Sequence, residues 1–380
     1  MKDRKRRLKV LFVMTLPLLL AASCEQPESP ALFLMSVPYE LTSQGWEIAS
    51  WSPFRVSDSV KGFAYGRIAG KDVYIAVSYS GKIAYSYDGD IWESAAVGTW
   101  EDDDTDPYTP DVWVPSPDKA QYNAVVFGKG QFIAVGKDGK YARSYDGVEW
   151  SPSSGPDGFG TEDIQGIAYG AGYFVIVGAN GNISYSTNGV NWTQCKDKDH
   201  PDFSGYLNDI AYSEENNTFY VVGEYGTTGY ANNLSQSNWH YSFGTATDTT
   251  AFHTNPINKV AVGTYKGNIG IAVVFNEWSG KRIAIATQAD DFSGWDNDID
   301  ASAFGNNTIQ DIAYGGGKFV AAGASSMIGY LSTAHLDEDR YRYWQALVFQ
   351  KFHWWEISAL AALNGRFFVG DVGGKIGYSR

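Results

Sequence analysis

The side chains with chemical scope in this 380-residue sequence are a few histidines, one acidic run, and many aromatic and amide groups. The five histidines (His200, His240, His253, His335, His353) fall without ligand spacing, and neither cysteine sits in a C-x-x-C pair, so no zinc site is implied. The run Glu101-Asp102-Asp103-Asp104-Thr105-Asp106 offers oxygens to a calcium ion, which takes six to eight of them. It lacks the glycine and the spaced ligands of a calcium loop and reads as a solvated acidic loop. No serine elbow, phosphate loop or paired-metal motif appears. The sequence therefore assigns no catalytic residue and implies no cofactor. What remains is recognition chemistry.

That chemistry is concentrated at two sets of positions. Long, irregular stretches at 93–121, 151–163, 193–207, 240–256, 296–308 and 345–356 carry Trp100, Tyr108, Trp113, Phe159, Phe203, Tyr206, Phe252 and Trp354, with Phe243, Phe349, Phe352 and His353. Aromatic rings beside Asp and Asn suit sugar faces or protein hot spots. The second set is Lys61, Asn123, Gln165, Asn208, Asn258, Gln310 and Ser358, each opening an apolar run. If these seven face a common channel, they form a polar ring at its mouth. If they do not, they satisfy neighbouring backbone.

Both sets follow from an internal repeat. Residues 165–192 (QGIAYGAGYFVIVGANGNISYSTNGVNW) align without a gap on 123–150 (NAVVFGKGQFIAVGKDGKYARSYDGVEW), and 61–92 match with a longer first turn. Weaker copies occupy 208–239, 258–295, 310–344 and 358–379. Equivalent small residues fall at Ala64, Val126, Ala168, Ala211, Ala261, Ala313 and Ala361, and seven copies at this period indicate a propeller. Each copy parses as four antiparallel strands, with Asn180-Gly181 the type I′ hairpin turn between the second and third. Aromatic residues at 15% and 42 glycines suit many short strands and tight turns. The seventh copy stops after its third strand. Ser43–Ile48 supplies the missing fourth, which predicts an all-β, single seven-bladed propeller closed by an N-terminal strand that completes the last blade.

The N-terminus carries a different signal. Lys2 to Lys9 is basic and Val10 to Leu20 is an apolar run too short to span a bilayer, as in a secretory signal. Leu20-Ala21-Ala22-Ser23-Cys24 resembles a bacterial lipobox, with Ala21 where leucine is usual, and the resemblance implies lipidation of Cys24. Residues 1–23 then form a lipoprotein signal peptide, 24–38 a proline-containing tether and 39–380 the propeller. Residues 1–23 hold six basic groups and one acid, which leaves 23 basic and 42 acidic groups beyond them, a balance of −19. Such a surface repels phosphate backbones, so nucleic acid is excluded as a partner and membrane contact is expected through the lipid alone. A monomer is expected.

The turns before three of the tryptophans carry a family resemblance. Ser86-Tyr87-Asp88-Gly89-Asp90-Ile91-Trp92, Ser144-Tyr145-Asp146-Gly147-Val148-Glu149-Trp150 and Ser186-Thr187-Asn188-Gly189-Val190-Asn191-Trp192 resemble the Asp-box, or bacterial neuraminidase repeat, of propellers related to photosystem II assembly factors. They are one residue shorter than the full spacing. The resemblance implies structural turns in which Asp88, Asp146 and Asn188 bind their own backbone while the tryptophans pack between blades. It also raises a sialidase-like glycoside hydrolase as the alternative function, with Pro53-Phe54-Arg55-Val56 similar to that family's arginine motif. The scattered Arg67, Arg143, Arg366 and Arg380 give little material for an arginine triad. The function expected is a lipid-anchored module of the cell envelope that binds a protein or glycan, as an adhesin or an envelope assembly factor.

Overall fold

The computed structural model describes residues 45–101, 112–116, 120–195, 205–234, 239–242, 254–275, 283–288, 293–296, 304–332, 344–348 and 355–380. The signal, Cys24 and the tether lie outside these residues. The described chain forms seven sheets, six of them built from strands consecutive in the chain. Their innermost strands are Val60–Ile68, Tyr122–Gly128, Ile164–Gly170, Leu207–Ser213, Ile257–Tyr265, Ile309–Gly315 and Ile357–Leu363. Each packs against the next, and the last packs against the first, so the ring is closed. This is a seven-bladed β-propeller.

Closure uses the N-terminal strand. Trp46–Ile48 pairs antiparallel with Ile376–Ser379, in the register Trp46 to Ser379 and Ile48 to Gly377. Blade 7 therefore takes three strands from the end of the chain and its outermost from the beginning. The pairing covers what would be an open sheet edge. Ala49 N–H donates to the Ile376 carbonyl at 2.9 Å and Arg380 N–H to that of Gly45 at 2.7 Å, extending the seam in both directions.

The seven tryptophans Trp46, Trp92, Trp150, Trp192, Trp239, Trp295 and Trp344 lead into or lie on the fourth strands and pack backwards onto the preceding blade. Trp92 sits with Phe368, Ala359 and Tyr378 of blade 7, and Trp150 with Val73, Ile75 and Ile83 of blade 1. The turns before them hold them in place. Asp88 Oδ1 accepts the N–H groups of Asp90 and Ile91 at 2.8 and 2.9 Å, and Asn188 does the same for Val190 and Asn191. Ser86 Oγ accepts Gly89 N–H at 2.8 Å, and Trp92 Nε1 donates to the Gly89 carbonyl at 3.1 Å. These are local side-chain-to-backbone turns, the role that Asp and Asn play well.

Two readings of the links between blades need correction. The 93–121 stretch is not an irregular loop. Within it Ala96–Glu101 and Val112–Pro115 form a hairpin whose first strand runs parallel to Glu149–Ser154, adding a fifth and sixth strand to blade 2. Phe159, expected on a recognition surface, is buried with Tyr141, Ile164 and Trp192 between blades 2 and 3. A turn from Pro156 to Gly160 folds it inward, with Phe159 N–H on the Pro156 carbonyl at 2.9 Å.

Candidate functional site

The inner strands share one irregularity, and it builds the site. Each starts with a β-bulge. In blade 1 Val60 pairs with Ser78 and Gly62 with Val77, which leaves Lys61 without a partner across the ladder. The same skip occurs at Asn123, Gln165, Asn208, Asn258, Gln310 and Ser358. A bulge bends its strand and re-aims the extra side chain. Here all seven extra side chains line one cavity of about 370 Å³ at the propeller axis, together with Tyr79, Lys137 and Lys259.

Several of these groups also bind the neighbouring blade. Asn123 Nδ2 donates to the Ile164 carbonyl at 2.9 Å, Asn208 Nδ2 to that of Ile257 at 2.9 Å, and Ser358 Oγ to that of Val60 at 2.8 Å. In each case the acceptor opens the inner strand of the following blade. Gln310 Nε2 reaches Glu356 Oε1. Channel lining and blade stitching are thus carried by the same amides and hydroxyl, and these side chains are held rather than loose.

The rim is fixed as well. In six blades the residue before the inner strand offers its carbonyl to the turn after the second strand: Ser59 to Tyr79 N–H, Gln121 to Lys137, Asp163 to Ala179, Tyr206 to Glu224, Thr308 to Ala324 and Glu356 to Val372, all at 2.9–3.0 Å. At Gly178 the incoming Asp163 carbonyl passes where a Cβ would stand, which explains a glycine with an extended backbone there. The turn that follows has positive φ at both Asn180 and Gly181, as a type I′ turn requires. Links and second turns therefore meet at one face, around the mouth.

The mouth is cationic on an acidic chain. Lys61 and Lys137 flank the Tyr79 ring, with Nζ at 5.8 and 5.5 Å from its centroid. Burial lowers the Lys61 pKa, and the nearby Lys259 charge lowers it further. Lys259 stands 3.7 Å from Asp209 Oδ1. Burial works against its charge, but Asp209 and Asp311 hold its pKa above the ordinary lysine value. Asp311 is itself buried, and its carboxyl is pushed up to about 6 by that burial and by Asp209, against the pull of Lys259. Its two oxygens accept Ile312 N–H at 2.8 Å and, from blade 7, Leu360 N–H at 2.7 Å. Asp209 Oδ2 takes Val260 N–H of blade 5 at 3.1 Å. Three inner strands in succession thus carry a carboxylate, an ammonium and a carboxylate behind the mouth.

The other residues singled out from the sequence are dispersed. Tyr206 anchors its link through backbone bonds, its N–H on Glu224 Oε2 at 3.0 Å. Trp113 lies on the hairpin added to blade 2, and Trp100 pairs opposite it in the backbone register. Tyr108, Phe203, Phe252 and Trp354 lie outside the described residues, as do Phe243, Phe349, Phe352, His353 and the acidic stretch 102–106. Arg55 is exposed on the approach to blade 1, and Arg366 lies over the rings of Tyr74, Phe368 and Tyr378. Neither lines the axial cavity. Tyr79, Lys137 and Lys259 do line it, and sequence reasoning missed them. Lys259 had a legible signal: it occupies a repeat position held by Gly62, Ala124, Gly166 and Ala359 elsewhere.

No family model and no curated protein matches this chain. Solved structures do. One described as "YCF48 bound to D1 peptide" superposes with a TM-score of 0.61 at 17% identity, covering 88% of this chain and 96% of the other. Another, "YCF48 from Cyanidioschyzon merolae", gives a TM-score of 0.59 at 14% identity over 88% and 98%. At these identities the likeness establishes the propeller fold.

Proposed function

We propose that the chain is a lipid-anchored propeller of the cell envelope that captures an extended, carboxylate-bearing protein segment at its axial mouth. The observation that carries this reading is the gathering of seven bulge side chains with Tyr79, Lys137 and Lys259 around one cavity of about 370 Å³. Amides and a hydroxyl pair with peptide groups, and the ammonium groups of Lys61, Lys137 and Lys259 complement carboxylates. A rigid rim keeps the entropic cost of ordering the site low. A similar propeller whose description records a bound D1 peptide supports a peptide as the ligand class. Export and anchoring rest on the basic and apolar segments ahead of Cys24 and on the small residues Ala21-Ala22-Ser23. An adhesin and an envelope assembly factor both use such a module.

The test is a peptide library displayed against the full chain and against the Lys61→Ala/Lys137→Ala variant. Selected peptides should be acidic and should bind the variant at least tenfold more weakly, with the difference shrinking at high salt. Peptides that bind both proteins equally would overturn the assignment of the mouth. Palmitate labelling that persists in Cys24→Ser would overturn the anchor.

A further inference from the structure

Two departures from the seven-fold repeat coincide on blade 2. The first is the hairpin Ala96–Glu101 and Val112–Pro115, an addition to the four-stranded blade. The second is Arg143. Its position in the third strand is held by Tyr85, Tyr185, Tyr230, Tyr330 and Tyr378 in other blades, and by Ile285 in blade 5. In blade 1 the tyrosine has an acidic partner on the fourth strand, with Tyr85 Oη on Glu93 Oε2 at 2.6 Å. In blade 2 the residue opposite Arg143 is Ser151. The Nε of Arg143 is buried and finds no acceptor among the described residues.

The substituted strand and the added hairpin bound one pocket of about 220 Å³. Trp113, Arg143, Ser144, Tyr145, Asp146, Glu149 and Ser151 line it. Tyr145 is 63% exposed. Its blade 1 equivalent, Tyr87, packs edge-on against Tyr85 at 5.6 Å, a contact that arginine at 143 removes. Gly98 on the facing hairpin strand lets the two strands close up, since a Cβ there would meet the Val114 carbonyl and crowd the Trp113 indole. The pocket therefore offers aromatic surface, a guanidinium, hydroxyls and two carboxylates.

We propose that this pocket binds a single sugar residue bearing one carboxylate, such as a hexuronic acid within an envelope glycan. The aromatic rings take the C–H face of a pyranose, and the guanidinium takes its carboxylate through a planar fork of donors. Asp146 Oδ1 holds the turn through the Val148 and Glu149 N–H groups, and its Oδ2 accepts from a ring hydroxyl, a use for an acid that a purely anionic ligand would not have. An acidic peptide meets the pocket's two carboxylates as repulsion, so a monoanionic, hydroxyl-rich ligand is the better complement. The size agrees, since ~220 Å³ is below the roughly 300–1,000 Å³ of drug-sized sites. The site lies at the outer edge of blade 2 and is independent of the axial mouth.

The probes are methyl glucuronide, methyl glucoside and a blocked Asp-Glu-Asp peptide, titrated into the full chain by saturation-transfer NMR. The glucuronide should bind at least tenfold more tightly than the glucoside. Arg143→Gln should bring the two sugars to equal affinity, and Trp113→Ala should weaken the glucuronide at least fivefold. Equal binding of both sugars to the unaltered chain, or an Arg143→Gln variant that still prefers the glucuronide, overturns the proposal. Competition by the peptide at equal strength assigns the pocket to a protein and overturns it too. Should Arg143→Gln fail to fold, Trp113→Ala on the added hairpin decides the outcome.

Discussion

Truncating Trp46 tests whether the N-terminal strand closes the ring energetically as well as topologically. The indole is 1% exposed and packs among Ala313, Val320, Ala322 and Ile328 of blade 6 and Ile357, Leu360 and Val369 of blade 7. Its strand pairs over only Trp46, Glu47 and Ile48, so the side chain is the main anchor of a short seam. Trp→Ala in a packed core costs about 3–5 kcal/mol, a large share of the roughly 5–15 kcal/mol that holds a typical domain folded. Loss of the anchor should also release the strand and expose Ile376–Ser379 as an open edge. Urea unfolding of Trp46→Ala should therefore show a loss of ~3–5 kcal/mol. Hydrogen exchange should show the Arg380 amide, bonded to the Gly45 carbonyl, losing protection under native conditions. A stability loss below about 1 kcal/mol with that amide still protected would refute closure by this strand.

Two further outcomes follow from buried polar atoms. Asp371 is fully buried; its Oδ1 accepts Gly373 and Lys375 N–H at 2.8 Å each, its Oδ2 takes no donor among the described residues, and burial pushes its carboxyl up to about 6 from 3.8. The folded state thus holds a proton that the unfolded chain releases, so this contribution is complete below about pH 4 and is lost as pH rises through 6, by up to ~3 kcal/mol. Urea midpoints should fall between pH 5 and pH 8, and less steeply in Asp371→Asn; an equal slope in both proteins would contradict this. Trp150 Nε1 donates to the Gly147 carbonyl at 2.9 Å, whereas Trp192 Nε1 is buried without an acceptor among the described residues. Trp150→Phe should therefore cost about 1 kcal/mol more than Trp192→Phe in thermal unfolding, and a reversed order would refute the hydrogen-bond assignment.

The sequence carried the architecture because a propeller repeats its physics. Small residues at Ala64, Ala168 or Ala313, the turn pairs before each third strand and the trailing tryptophans recur for the same packing reasons in every blade, and the interrupted last copy exposed the closure. The blade 2 hairpin was illegible for a physical reason. Its strands are six and four residues long, separated by an acidic stretch, and the first joins a parallel neighbour that no hairpin signal announces. Phe159 was misread because its burial depends on a compact turn between blades, which periodicity does not register. Asp209, Lys259 and Asp311 were visible in the alignment as charged residues among glycines and alanines. Their meaning needed the ring, since only its closure brings three separate strands behind one mouth.

The bulge explains how such a scaffold can acquire function without losing its fold. Ladder residues are committed: one face packs on a neighbouring blade, and a change there opens a cavity. The bulged residue has no partner across the ladder, and its side chain is turned to the axis, so its identity is limited by polarity and size and, at Asn123, Asn208 and Ser358, by the bond to the next blade. Seven such positions around one axis give a surface that can vary with less cost than the ladder. The blade cores stay alike while Lys61, three asparagines, two glutamines and Ser358 differ. Where a departure reaches a committed position, as at Lys259 or Arg143, the fold bears a cost in desolvation or a lost ring contact. At Lys259 the two flanking aspartates offset that cost within the protein. At Arg143 no acceptor among the described residues meets the buried Nε, which is the opening that the carboxylate of the proposed sugar would fill.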